Sequence, residues 1–124
     1  MIVYSIIESA AHPNLSALYR RLGYEEIQLT SVRKAIQELK KHTPDLVVAD
    51  FLYGYGNNYA GVNICNLDVF LYSLQKYAPA CKVIALYEKN EQAYIGKLQE
   101  LFTITASFAY PITERDIEMS LSDK

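Results

Sequence analysis

The run Leu46-Val47-Val48-Ala49 ends on an acid, Asp50. Four apolar residues, β-branched at their centre, are too short for a helix and read as a strand buried on both faces, the kind parallel sheets use. An acid at the carboxyl end of such a strand stands where open parallel sheets gather ligands and reactive groups, because loops and helix N-termini line the crevices there. Two readings stay open. Asp50 is either a group that does chemistry or a strand-end acid that bonds backbone N–H groups of its own loop.

The segment after Asp50 reads FLYGYGNNYAG and places Tyr53, Tyr55 and Tyr59 close together among glycines and asparagines. Tyrosine offers a large amphipathic contact area at low entropic cost, and glycine and asparagine let a backbone adapt, so this composition suits a partner-binding surface. The plainer alternative is a loop that covers apolar area at the sheet edge. Gly54, Gly56 and Gly61 do not make a G-x-G-x-x-G fingerprint, and they follow the third apolar run, where dinucleotide binding would need them after the first. Cys65 and Cys81 lack C-x-x-C spacing and a nearby histidine, so buried free thiols are expected. His12, before Pro13, and His42, at the end of a helical stretch, are expected to face solvent or cap.

The elements that must hold these residues alternate between apolar runs and stretches of helical period, the pattern of βαβ units around a parallel sheet. Strands are predicted over 2–7, 26–29, 46–49, 82–87 and 104–108. A first helix, capped by Asn14 or Ser16, runs through Leu15, Leu18, Tyr19 and Leu22 and ends at Gly23. Thr30 or Ser31 caps a second, whose Val32, Ala35, Ile36 and Leu39 form one stripe, and Pro44 stops it. Leu67, Phe70, Leu71 and Leu74 make a third stripe; Tyr94, Ile95, Leu98 and Leu101 make a fourth; a short amphipathic tail spans 113–121. Right-handed crossovers then favour a doubly wound α/β sheet of five parallel strands in the order 2-1-3-4-5. The expected core comprises Val3, Leu18, Leu22, Ile36, Leu39, Val47, Val48, Leu71, Leu74, Val83, Ile84, Ile95 and Leu98.

At 124 residues the chain is expected to be a single domain, residues 1–124. Its 12 basic and 14 acidic residues are spread along it, which gives no electrostatic reason to expect nucleic acid or an anionic membrane as a partner. The apolar run at 2–7 lacks a basic flank and is too short to cross a membrane, so a cytoplasmic location is expected.

With "RRLGYE" at 20–25 closing the first helix, "PDLVVAD" at 44–50, "KVIALY" at 82–87 and Tyr110-Pro111 after the fifth strand, the chain resembles the receiver (CheY-like) domain of bacterial response regulators, over essentially its whole length. The resemblance implies a flavodoxin-like fold and, in two-component signalling and phosphorelay, transfer of a phosphoryl group from a histidine kinase or small phosphodonor to Asp50. That chemistry requires a divalent cation held by acids and groups that neutralise charge on the transferring oxygens. The chain departs from the family around Asp50. Ile6 and Ile7 stand at the places of the paired acids, leaving Glu8, with Asp50, to hold Mg²⁺. Tyr87 replaces the small hydroxyl after strand four, and Tyr110, before Pro111, replaces the lysine. Both phenols are expected to point at Asp50.

A family fold kept while its catalytic surroundings change suggests a pseudo-receiver: not an enzyme, using no cofactor, a protein–protein interaction module with little or no phosphorylation. Its partner would be a signalling protein or a second copy, met through Tyr53, Tyr55 and Tyr59. The alternatives are a phosphoacceptor using Asp50 and Glu8, which would imply a histidine kinase as partner, and a flavodoxin-like binder of a small ligand among the tyrosines.

Overall fold

A computed structural model describes residues 1–52 and 67–122, with side chains to residue 121. Five strands, β1 (Ile2–Ile6), β2 (Glu25–Leu29), β3 (Leu46–Asp50), β4 (Lys82–Tyr87) and β5 (Ala106–Ala109), pair in parallel in the order β2-β1-β3-β4-β5. This is the order expected from alternating units. Among the described residues five α-helices connect and flank them: α1 (Ser16–Arg21), α2 (Val32–Glu38), α3 (Asp68–Tyr77), α4 (Gln92–Leu101) and α5 (Glu114–Ser122). Every residue of β3 is buried, as a central strand covered on both faces must be.

Two clusters fill the two sides of the sheet. Tyr4, Ile6, Val47, Ala49, Phe51, Val83, Ala85 and Tyr87 meet α2, α3 and α4 through Ala35, Phe70, Leu74, Ile95 and Leu98. Val3, Leu46, Val48, Ile84 and Leu86 meet α1 and α5 through Leu18, Tyr19 and Ile117. Alternation along β3 therefore sends Asp50 to the α1 and α5 side, where its register partner is Leu86.

The local signals account for most of the ends. Gly23 takes φ +88 just past α1, a left-handed position that glycine fills without strain. Ser31 caps α2 by accepting from the backbone N–H of Lys34 at 3.1 Å. At α1 the N-cap is Leu15, and Asn14 acts one residue earlier by accepting from the Ser16 N–H at 3.1 Å. Lys40 and Lys41 lie beyond the end of α2, not in its last turn, and His42 pairs with Glu38 at 2.7 Å.

Three expectations are corrected. Leu101 is 57% exposed, because α4 ends there and the extended Phe102 takes the buried place at 6%. Leu22 and Ile36 pack against the clusters without being fully buried. β5 begins at Ala106, after Thr105 has already donated to the Val83 carbonyl at 2.8 Å. Among the described residues no helix is long and apolar enough to cross a membrane.

Candidate functional site around Asp50

β3 delivers the Asp50 side chain, 0% exposed, to the carboxyl end of the sheet, beside the loop that follows β1. That loop turns two backbone N–H groups inward. Glu8 and Ser9 donate to Asp50 Oδ2 at 2.8 and 2.9 Å. The chain then closes a tight turn, in which the His12 N–H donates to the Ser9 carbonyl at 3.1 Å and the Ala11 N–H to Ser9 Oγ at 3.1 Å. The turn folds His12 back over the acid. His12 Nδ1 lies 2.9 Å from Asp50 Oδ1, with the two side chains 1% and 0% exposed.

From the other side, Tyr110 at the end of β5 donates its hydroxyl to the same Oδ1. Tyr110 is anchored by its backbone N–H to the Tyr87 carbonyl at 2.9 Å and is followed by a cis bond to Pro111. Burial first, then the hydrogen bond to Asp50 and its charge, hold the phenol proton far above the ordinary tyrosine range. Tyr110 is thus a donor at any physiological pH. Two amides on one oxygen, with a phenol and an imidazole on the other, meet the acceptor capacity of a carboxylate from within the protein.

The expected site residues separate here. Asp50 and Tyr110 are brought into contact, with Pro111 directly after. Glu8 reaches Asp50 through its backbone N–H. Tyr87 does not face Asp50: it follows Leu86 in β4, so alternation turns it to the opposite side of the sheet, into the cluster with α2, α3 and α4. Tyr53, Tyr55 and Tyr59 lie outside the described residues, as does Cys65. Cys81 is a free thiol pushed up to about 12 by burial and then by the charge of Asp45, so it is an inert thiol at neutral pH.

His12 was expected to face solvent or cap and is instead the acid's buried partner. One signal for it was present. It is the only side chain between Met1 and Tyr19 able to carry positive charge.

The residues around Asp50 do not fit Mg²⁺. That ion demands near-octahedral oxygen ligands, whereas both carboxylate oxygens here face hydrogen-bond donors, one of them a group able to bear positive charge. Among the described residues no group of three or more His, Cys, Asp or Glu side chains is placed to hold a metal ion.

No model of a known protein family matches the chain, and no curated protein matches it in sequence. Solved structures do match. The N-terminal domain of a response regulator/sensory box/GGDEF protein from Carboxydothermus hydrogenoformans superposes with a TM-score of 0.71 at 15% identity, covering 98% of this chain and 90% of that one. A response regulator from Burkholderia pseudomallei, with a phosphorylated aspartic acid and a calcium ion, gives 0.64 at 16% identity, over 98% of this chain and 66% of that one. A pilus assembly protein, CpaE, from Caulobacter crescentus gives 0.63 at 17% identity, over 97% and 95%. The chain therefore has the fold of response-regulator receiver (CheY-like) domains.

Proposed function

We propose that the chain is a pseudo-receiver, a signalling module that acts through protein–protein contact with little or no phosphorylation and catalyses no reaction of its own. The observation that carries this reading is the closure of Asp50 by Glu8, Ser9, His12 and Tyr110 at 0% exposure. An in-line attack on a phosphodonor requires a carboxylate oxygen free to approach phosphorus, and charge neutralisation on the transferring oxygens. Neither oxygen of Asp50 is free to make that approach. The Burkholderia pseudomallei protein carries a phosphorylated aspartate and a cation on this fold; here hydrogen-bond donors crowd the carboxylate of Asp50.

The partner surface is assigned on composition to Tyr53, Tyr55 and Tyr59, with a signalling protein or a second copy as the occupant. A pilus assembly protein of the same fold is consistent with a role in assembly.

The test is incubation of the full chain with acetyl phosphate and Mg²⁺, read by intact mass and peptide mapping. The expected result is no phosphoryl addition at Asp50 under conditions that label a known receiver to completion. Stoichiometric labelling at Asp50 would replace this reading with that of a phosphoacceptor.

A further inference from the structure

At the amino end of the sheet, away from Asp50, a cavity of about 180 Å³ lies between the second half of α3 and the extended Phe102, which leads from α4 toward β5. Leu71, Leu74, Val83 and Phe102 line it. Each is 6% exposed or less and belongs to the packed cluster on that side of the sheet, so the wall is held in place by the core. Cys81 lines it too, and burial keeps that thiol protonated at neutral pH, so among the described residues of the wall no side chain carries charge. Tyr72 meets the Phe102 ring edge-on at 5.3 Å and 89° and is itself 66% exposed. An incoming ring can extend this edge-to-face arrangement, a geometry that aromatic groups prefer.

Polarity and size select the occupant. Gln75, Phe102 and Thr103 also line a second, wider cleft, so they stand where the two spaces meet. Gln75 and Thr103 are exposed there and supply uncharged donors and acceptors. Glu100 lines the second cleft and disfavours an anion at the mouth, with no lysine or arginine among the described lining residues to offset it. A charge carried inward would lose its water and find no partner. The volume of about 180 Å³ suffices for one ring, since an apolar cavity of about 150 Å³ already admits benzene.

We propose that this cavity is a binding site for a small uncharged aromatic molecule, its ring held among Leu71, Leu74, Val83 and Phe102 and one neutral hydrogen-bonding group turned toward Gln75 and Thr103. The site is separate from Asp50. It therefore goes beyond the interaction role and stands or falls independently of it.

Benzyl alcohol is a suitable probe, with benzoate as the anionic counterpart that carries the same ring. Methyl and amide NMR of the isotopically labelled full chain locates the ligand directly. Saturable shifts are expected with benzyl alcohol, together with nuclear Overhauser contacts from its ring protons to the methyl groups of Leu71, Leu74 and Val83. Benzoate should bind about tenfold more weakly or not at all. Gln75→Ala combined with Thr103→Val, both at exposed positions, should weaken benzyl alcohol by about threefold or more, as the loss of a hydrogen bond does. Benzoate binding as tightly as the alcohol would overturn the charge argument, and unchanged affinity in the double variant would overturn the polar end. No saturation, or saturation without contacts to those methyl groups, would overturn the site.

Discussion

Tyr110 does at the scale of one residue what a cation would do in a phosphorylatable site, and it does so without adding a charge. Its phenol hydroxyl donates to Asp50, in a place where burial makes ionisation costly. The sign of the resulting pH dependence follows. The native phenol ionises above the value of about 10 that it has in the unfolded chain, so its contribution is complete below that pH and is lost as pH rises further. Tyr4 and Tyr19 are raised in the same direction, by burial first and then by the charges of Glu38 and Glu26, and steepen the loss. Urea unfolding between about pH 9 and about pH 11 should show stability falling with pH, and Tyr110→Phe should flatten that fall. A slope unchanged in Tyr110→Phe would show that the phenol is not held protonated by its site. Asp50 and Tyr110 were legible from strand ends and from the resemblance. His12 was not, since its role depends on a turn between Ser9 and His12 and on an acid far along the chain, neither of which local pattern encodes.

At the scale of elements, apolar runs and stripes carried most of the fold because each strand and helix must bury a defined face. β4 was predicted with its observed ends, and Leu98 sits at 0% exposure where the α4 stripe meets the sheet. Leu98→Ala should cost about 2–5 kcal/mol in urea unfolding, the range for a large-to-small change in a packed core. Leu101→Ala, at a 57% exposed position of the same helix, should cost far less, about 0.5 kcal/mol or under. Equal costs would mean that α4 does not present the face described. The misplacement of Tyr87 belongs to this scale too. The end of a strand names the place of a side chain along the sheet, but only the pairing of Asp50 with Leu86 decides which neighbour shares its face.

For the whole molecule, the question is whether the carboxyl end of the sheet is an acid site awaiting a cation or a closed polar core. The two make opposite predictions for removing one negative charge. In an acid site, Asp50→Asn relieves repulsion and leaves stability unchanged or higher. In the closed core, the new amide turns its hydrogens toward donors already in place: the N–H groups of Glu8 and Ser9 in one orientation, the Tyr110 hydroxyl and His12 in the other. In the first orientation N–H meets N–H; in the second the phenol and the imidazole accept only by turning or shifting their own protons, and in both the charge-assisted bonds to the carboxylate are lost. The unfolding free energy of Asp50→Asn in urea without divalent cations, set against that of the unaltered chain, is therefore the most direct measurement. A loss of about 1–3 kcal/mol is predicted; equal or greater stability in the variant would contradict the account of Asp50 as a carboxylate closed by the protein's own donors.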